Sequence, residues 1–273
     1  MNNFVTRTLS GIMFVGLVAG SILLSPYAFL AFFAIICGWT VREFHILTNK
    51  QKDVTVNLWF AFIGTILLFV SSFLSSSGIV QYPLLSVYGF FVVLVLVYEL
   101  FRKQPNAIHN WAYFILGQVF IALPFSLLNF ILYIQEWQPI ILLSVFVTIW
   151  VNDTGAYLVG VTFGKHRLFE RISPKKSWEG FFGGATLAML SGYIFSLYIP
   201  QISLINWLIF SEIIVLFGTF GDLIESLLKR TVNVKDSGTV IPGHGGLLDR
   251  FDSMLLAVPV VYMFLSFLFN HAS

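Results

Sequence analysis

The sequence predicts an all-α, polytopic integral membrane protein with about nine transmembrane helices. Of its 273 residues, 58% are hydrophobic and only 10% are charged, whereas about a quarter of a soluble domain is usually charged. Mean hydropathy is +0.87. The 17% aromatic content excludes disordered and nucleic-acid-binding chains, which contain few aromatic residues. The net charge of +2 is too small for a general attraction to polyanions.

Long apolar runs define the predicted elements. A helix needs about 20 apolar residues to cross a bilayer, and open strands cannot satisfy their backbone groups in lipid. Polar breaks separate the predicted helices, which cover residues 8–24, 28–46, 57–76, 83–101, 111–134, 139–162, 180–200, 204–225 and 251–270. The first run follows Arg7, as in a signal peptide, but Ser25, Pro26 and Tyr27 make a poor cleavage site. We therefore predict that the first helix is retained.

The connections between these helices differ in charge. All 15 Lys and Arg residues lie before the first helix or around the second, fourth, sixth and eighth connections, namely Arg7, Arg42, Lys50, Lys52, Arg102, Lys103, Lys165, Arg167, Arg171, Lys175, Lys176, Lys229, Arg230, Lys235 and Arg250. The connections at 75–82, 135–138 and 200–203 contain no basic residue. Because basic loops stay cytoplasmic, we predict a cytoplasmic amino terminus and a carboxyl terminus on the far side.

The polar residues divide the chain into two predicted parts. Residues 1–135 should form a transmembrane scaffold that faces lipid or a second subunit. Residues 136–273 hold most of the acidic residues and two cytoplasmic loops, at 163–179 and 226–250, and should be the catalytic part. The only cysteine, Cys37, lies in an apolar run, which indicates packing and no redox role.

Two polar regions adjoin the sixth and seventh helices. Asp153 lies deep in the sixth helix, where ionisable residues usually mark a functional site, although a hydrogen bond between helices is the alternative. Before the seventh helix, a phosphate site is predicted because helix amino termini favour anions; its candidate residues are Ser173, Lys175, Lys176 and Ser177. Anchoring to anionic lipid is the alternative there.

A third polar region lies at the end of the eighth helix. Helical spacing places four side chains on one face, and these are Asp222, Glu225, Ser226 and Lys229. A solvated helix end is the alternative. Glu212, nearer the far end of the same helix, has no motif around it, so packing or a far-side hydrogen bond is favoured.

The fourth region surrounds the start of the ninth helix. Lys235 and Asp236 precede a glycine-rich segment in which Gly243, His244, Gly245 and Gly246 could cradle phosphate oxygens. Asp249 and Asp252, three residues apart, could share a magnesium ion with Asp222, since oxygen ligands suit magnesium. Helix capping by Asp249 is the alternative. His244 lacks a zinc-ligand pattern and should order the loop.

Together these motifs resemble the phosphatidate cytidylyltransferases, also called CDP-diacylglycerol synthases. The matching positions of that signature are Ser226, Leu228, Lys229, Arg230, Lys235, Asp236, Gly238, Ile241, Pro242, His244, Gly245, Gly246, Leu247, Asp249, Arg250, Phe251 and Asp252. Residues 173–180 resemble the family's second motif, with Ser177 where Thr is commoner. The resemblance is strong over residues 150–252 and amounts to hydropathy before them.

The resemblance implies an integral membrane enzyme that joins CTP and phosphatidate to give CDP-diacylglycerol and pyrophosphate. It also implies a homodimer in a bacterial inner membrane and a magnesium site at Asp222, Asp249 and Asp252, with a second cation left open. From the chemistry alone, Lys175, Lys176, Lys229, Arg230 and Arg250 could offset phosphate charge, and Asp153 joins the catalytic candidates. No strong general base is needed because a phosphate monoester is already ionised near neutral pH.

Two alternatives use the same residues. A cation- or proton-coupled transporter could employ Asp153 and Asp222 as a relay, but it would need polar groups that continue to the far side, where only Glu212 comes close. A CTP-dependent polyprenol kinase would share the nucleotide chemistry. Formation of a CDP-lipid from CTP and phosphatidate separates the three.

Overall fold

A computed structural model describes residues 3–80, 84–238, 240 and 245–271, with side chains from residue 8 to 270 of those ranges. Within them the chain forms nine helices, with the bounds α1 Asn3–Leu24, α2 Pro26–Thr48, α3 Leu58–Ser76, α4 Leu85–Phe101, α5 Ala107–Leu132, α6 Pro139–Phe163, α7 Trp178–Tyr198, α8 Leu204–Thr231 and α9 Leu248–His271. Every predicted run is confirmed as a helix. The largest difference is α8, which continues to Thr231 instead of ending at 225.

The helices have the length and composition of membrane spans. Seven of those described, α2, α3 and α5 to α9, are long and apolar enough to cross a membrane. The apolar part of α1, Thr8–Leu24, and α4 are shorter. The all-α, polytopic membrane fold is therefore confirmed, and a ninefold crossing stays a prediction.

Helix starts follow from capping residues in the sequence. The Ser25 hydroxyl accepts a hydrogen bond from the backbone N–H of Ala28 at 3.0 Å, directly before Pro26 at the first position of α2. Asn57 begins α3 and Asn106 begins α5 in the same way, each with a side-chain oxygen on a first-turn N–H. Such caps satisfy N–H groups that have no partner inside the helix.

The described chain divides into two units, of which the first contains Met1–Pro139 and Thr231–Phe251. Its core is aromatic: Phe29 and Phe33 lie 4.7 Å apart between ring centroids, and Phe125 and Phe251 lie 5.2 Å apart. Phe29, Phe33, Phe69 and Phe125 are completely buried. Residues 231–251, predicted to belong with the catalytic half, are grouped here with the amino-terminal helices.

Buried polar side chains of the first unit are paired with one another. The Glu99 carboxylate lies 3.0 Å from Arg102 Nη1 and accepts a hydrogen bond from Asn110 Nδ2 at 2.5 Å. The Gln118 amide donates to Thr65 Oγ1 at 3.2 Å. Pairing of this kind removes most of the cost of burying polar groups in an apolar setting.

A π-helical turn interrupts α5 at Gln118–Ala122. Directly before it, Gly117 packs against α2 so closely that an added Cβ would lie 2.5 Å from His45 Nε2. A helix that carries one extra residue in a turn rotates its side chains relative to a regular helix. The hydropathy pattern, which reports only apolar length, did not predict this turn.

The second unit contains Ile140–Arg230 and Asp252–Ser273. The predicted cytoplasmic loop 163–179 contains an antiparallel hairpin of two short strands, β1 Arg167–Phe169 and β2 Ser173–Ser177. The helices pack through small residues, with Ala185, Ala188 and Val215 buried together. Close helix crossings at small residues are common in membranes, where van der Waals packing drives association.

Candidate active site

A cavity of about 270 Å³ opens in the second unit. It is lined by side chains from α6, the hairpin, α7, α8 and α9, and its polar lining residues include Asn152, Asp153, Lys175, Lys176, Thr219 and Asp222. Three of the four sequence regions singled out above therefore reach this cavity. A polar cavity inside apolar helices is the expected form of a binding site.

Glycines bring α6 and α7 together beside Asp153. A Cβ on Gly155 would lie 3.0 Å from the Gly183 carbonyl oxygen, and one on Gly184 would lie 2.5 Å from Asn152 Oδ1. Asn152 Nδ2 in turn donates to Asp153 Oδ1 at 3.4 Å. The Asp153 side chain is exposed at the cavity, which fits a functional role better than a buried bond between helices.

The hairpin places both lysines of the predicted phosphate site. Ser177, at the end of β2, is buried and its hydroxyl accepts a hydrogen bond from Gly180 N at 3.1 Å, so it caps α7. On the first turn of α7, the Glu179 carboxylate accepts hydrogen bonds from the backbone N–H groups of Lys165 and His166 at 3.1 and 3.2 Å. These contacts fix the strand that carries Lys175 and Lys176, with Ser173 half-buried at its start.

An ion pair joins two of the predicted motifs. Lys176 Nζ lies 2.7 Å from Asp222 Oδ2, and both side chains are about one third exposed, at 27% and 31%. The Ser226 hydroxyl donates to Asp222 Oδ1 at 3.1 Å. One turn on, Lys229 Nζ lies 2.5 Å from Oε2 of the fully buried Glu225. The predicted polar stripe on α8 is thus confirmed, whereas Arg230 is exposed at the end of that helix.

A second close crossing adds another carboxylate to this group. A Cβ on Gly221 would lie 2.5 Å from the Asp252 carbonyl oxygen, so only glycine allows α8 and α9 to approach here. Asp252 interacts electrostatically with Asp222, Glu225 and Asp153. Four carboxylates therefore surround one region, and Lys176 and Lys229 neutralise part of their charge.

These four carboxylates meet only part of what magnesium requires. Among the residues that the structure describes, no three His, Cys, Asp or Glu side chains are already arranged to hold a metal ion. Magnesium, however, usually takes one or two carboxylates and completes its octahedron with substrate phosphates and water. The oxygen donors of Asp222 and Asp252 beside an open cavity fit such a site, and they do not fit a cage built from protein alone.

The remaining predicted residues lie in the first unit. Asp249 Oδ2 accepts hydrogen bonds from Ser237 N, Ser237 Oγ and Gly246 N at 2.9, 2.9 and 2.8 Å. It therefore orders the loop before α9, and its predicted place in the metal site stays a prediction. Gly245 has a backbone φ of 82°, a conformation that favours glycine. Lys235, Asp236 and Arg250 are exposed, and Gly243 and His244 lie outside the described residues.

Sequence reasoning missed one acidic residue that the structure connects to these motifs. Glu43 lies in α2, is 3% exposed and accepts a hydrogen bond from Leu248 N at 3.0 Å. No motif surrounds it in the sequence. A carboxylate within an apolar membrane helix was the available signal, because Glu43 is the only acidic residue of the run 28–46.

Comparisons with known proteins agree with the motifs. The sequence pattern of the cytidylyltransferase family matches residues 5–268. A phosphatidate cytidylyltransferase of Bacillus subtilis is 37% identical over 199 residues, which cover 71% of this chain and 72% of that protein. Proteins of the same name from Staphylococcus epidermidis and Staphylococcus aureus are 36% and 35% identical over 177 and 182 residues. Each of these two matches covers 63% of this chain and 65% of the relative, just under two thirds of its length.

Proposed function

Because this chain belongs to the cytidylyltransferase family, we propose that it is a phosphatidate cytidylyltransferase of phospholipid biosynthesis. It transfers the CMP moiety of CTP to phosphatidate and gives CDP-diacylglycerol and pyrophosphate. The observation that carries the proposal is the cavity of the second unit, where Lys176 and Asp222, from two separate motifs, meet at 2.7 Å. The names of the relatives support the same reaction.

The reaction exchanges one phosphoryl bond for another. A phosphate oxygen of phosphatidate attacks the α-phosphorus of CTP, and the bond from that phosphorus to the departing pyrophosphate breaks in line. Such a transfer depends mainly on alignment and on stabilisation of negative charge. The attacking phosphate is already ionised near neutral pH, so the cavity needs no strong general base.

The basic residues supply the charge stabilisation. Lys175 and Lys176 line the cavity and can contact phosphate oxygens, while Arg230 lies exposed at the end of α8. Lys176 is held by its ion pair with Asp222. A cation fixed before the substrate arrives stabilises developing charge without reorganisation, which is the larger part of electrostatic catalysis.

We propose that magnesium is the cofactor. Asp222 and Asp252 would hold it, with Asp249 as the third predicted ligand, and when bound it would supply a Lewis acid that neutralises phosphate charge. The chain's own part is to orient these carboxylates. The Ser226 hydroxyl on Asp222 does so at 3.1 Å, and the backbone N–H of Ser237 does so for Asp249 at 2.9 Å.

The proposed orientation puts the cavity on the cytoplasmic side, where CTP is made, in a bacterial inner membrane. It rests on the one-sided distribution of all 15 basic residues. With Cys37 replaced by Ala, single cysteines at Ser76 and Ser203 should react with an impermeant thiol reagent in intact cells, and one at Lys50 should not. The reverse labelling pattern overturns this orientation.

A homodimer is also proposed, because the family resemblance implies one. Cross-linking of the purified protein in detergent, followed by mass measurement, should give twice the mass of the 30.8 kDa chain. A single mass of one chain at all protein concentrations contradicts it.

The activity is tested with purified protein, magnesium, phosphatidate and CTP labelled at the α-phosphorus. Label should enter an organic-extractable product, with pyrophosphate released in equal amount. Diacylglycerol in place of phosphatidate should give no labelled lipid, because it offers no phosphate nucleophile. Folded protein that forms no labelled lipid from phosphatidate contradicts the proposal.

A further inference from the structure

Glu43 is a buried carboxylate that the proposed reaction does not use. It lies in the second half of α2, a helix apolar enough to span a membrane, and only 3% of it is exposed. Ionisable side chains in such helices are costly and rarely kept without a partner or a role. Its partners are therefore informative.

Glu43 binds both ends of the segment that precedes α9. Its Oε2 accepts hydrogen bonds from Leu248 N at 3.0 Å and from the Ser237 hydroxyl at 3.3 Å. Ser237 precedes the glycine-rich segment, and Leu248 is the first residue of α9. A single side chain from a distant helix thus joins the Ser237 hydroxyl to the Leu248 backbone, eleven residues further along the sequence.

Two glycines of that segment are explained by the same carboxylate. A Cβ on Gly238 would lie 2.6 Å from Glu43 Oε1, and a Cβ on Gly246 would collide with both Glu43 Oε2 and the Ser237 hydroxyl. Real Cβ atoms essentially never lie so close to another heavy atom. An alanine at either position would therefore force the Glu43 carboxylate or the Ser237 hydroxyl to move, although Glu43 itself lies outside the signature.

Asp249 holds the same segment from the other side. Its Oδ2 accepts from Ser237 N and Gly246 N, and it lies 2.9 Å from the Ser237 hydroxyl that also reaches Glu43. A hydroxyl has only one hydrogen to donate, so the two carboxylates share it. Glu43 is thereby linked to Asp249, a predicted metal ligand, through one serine.

We propose that Glu43 is a positioning residue for the cytidylyl transfer: by joining Ser237 to Leu248, it fixes the residues that orient Asp249, a predicted ligand of the magnesium ion that would accompany CTP. The identity of the ligand, CTP, rests on the proposed function. The contacts of Glu43 do not depend on that function. Glu43 touches no reacting atom, and it acts through Ser237, Leu248 and Asp249.

The kinetic test compares Glu43→Gln with Glu99→Gln. Both residues are buried glutamates of the first unit with hydrogen-bond partners, but Glu99 contacts Arg102 and Asn110 and no residue of the signature segment. Loss of a supporting partner typically costs about 10- to 100-fold, so Glu43→Gln should raise the KM for CTP by that factor. The KM for phosphatidate should stay within about twofold, and Glu99→Gln should change neither constant.

A second readout needs no substrate. Leu248 N donates to Glu43, and Gln offers one acceptor oxygen where Glu offers two, so the Leu248 amide should exchange hydrogen faster in folded Glu43→Gln than in the unaltered protein, with no such change in Glu99→Gln. Should Glu43→Gln fail to assemble, Ser237→Ala replaces it, because it removes only the shared hydroxyl. It should raise the KM for CTP by about tenfold.

The outcomes separate this inference from the proposed function. Unchanged exchange at Leu248, or an unchanged KM for CTP in folded Glu43→Gln, overturns the positioning role. Equal rises in both KM values, matched by Glu99→Gln, reduce Glu43 to general packing and overturn it as well. Absence of CDP-lipid from the unaltered protein refutes the proposed function, and hydrogen exchange at Leu248 still decides the role of Glu43.

Discussion

The two units of this protein differ in where some of their polar groups lie. In the first unit, Glu99, Asn110 and Gln118 are buried and hydrogen-bonded to other side chains. In the second unit, Asp153 and Asp222 face a cavity of about 270 Å³. A polar group that lines open space can reach a ligand, even where a neighbouring side chain already pairs with it, as Lys176 does with Asp222.

The packing of the units differs in a matching way. Large rings fill the first unit, with Phe29, Phe33 and Phe69 fully buried. Glycines allow the backbones of the second unit to approach, as at Gly184 and Gly221. Close helix crossings of this kind bring Asn152, Asp222 and Asp252 near one another. We therefore assign the reaction to the cavity of the second unit, and positioning contacts with the predicted ligand Asp249 to the first.

The largest expected effect comes from removing one charge among the carboxylates and lysines of the second unit. Asp222→Asn keeps the size of the side chain and removes its charge, so it loses both the pairing with Lys176 and the predicted magnesium ligand. Removal of an electrostatic group at a reaction centre costs at least about 100-fold in turnover. We expect CDP-lipid formation to fall by that factor or more, with unchanged elution of the detergent-purified protein.

Asp252→Asn should behave in the same way, since Asp252 interacts with Asp222. Magnesium titration separates the two roles of these residues. A variant that regains full turnover at high magnesium has a weakened metal site. A variant with near-normal turnover at ordinary magnesium shows that the replaced residue is not a metal ligand.

The next effect concerns the lysine on the hairpin. Lys176→Gln leaves Asp222 without its partner at 2.7 Å and removes a positive charge from the cavity. We expect turnover to fall about 10- to 100-fold. Lys165→Gln is the matched control, because Lys165 is exposed on the same connection and does not line the cavity. Equal activity of the two variants, per inserted molecule, would mean that Lys176 serves only to anchor the loop in lipid.

These predictions use residues that the sequence itself indicated. Apolar length was enough to place all nine described helices, because a membrane helix must satisfy its backbone internally. Helical periodicity was enough to predict the contacts of Ser226 with Asp222 and of Lys229 with Glu225. Both rules are local, so they need no knowledge of tertiary packing.

Three other features, at the hairpin, at Ser177 and at Glu43, were not predicted by such local rules. The hairpin that carries Lys176 was expected to be a loop, because a three-residue strand leaves almost no pattern. The Ser177 hydroxyl accepts from Gly180 N as a helix cap, which was not predicted from the sequence, and its binding of phosphate stays a prediction. Glu43 was overlooked because its partners, Ser237 and Leu248, are about 200 residues away, at separations of 194 and 205.

A third prediction compares a glycine from each unit. An Ala Cβ at Gly221 would lie 2.5 Å from the Asp252 carbonyl oxygen, and one at Gly117 would lie 2.5 Å from His45 Nε2. Overpacking usually costs about 1–3 kcal/mol, so both variants should unfold at lower temperature in detergent. Only Gly221→Ala should also lower turnover of the folded fraction, by roughly tenfold, because it displaces Asp252, a predicted magnesium ligand.

Gly89→Ala is the control for both variants, since nothing lies within 4 Å of an added Cβ at Gly89 in α4. It should be neutral or stabilise the protein by up to about 1 kcal/mol, as alanine does in a helix interior. Normal turnover of folded Gly221→Ala, together with reduced turnover of folded Gly117→Ala, would reverse the roles assigned to the two units.

The smallest effect tests whether every carboxylate of the second unit belongs to the reaction. Glu212 lies on α8 ten residues before Asp222, about 15 Å along the helix axis. It lines a separate apolar groove with Leu208 and Phe217, and its buried Oε1 has no hydrogen-bond partner among the described residues. Burying a charge without a partner is unfavourable, so the neutral Glu212→Gln should be as stable as the unaltered protein or more so. We expect CDP-lipid formation to change by less than about twofold, measured beside Asp222→Asn in the same detergent. A loss of activity as large as that of Asp222→Asn would extend the reactive region along α8 towards the far side, as a transport pathway requires.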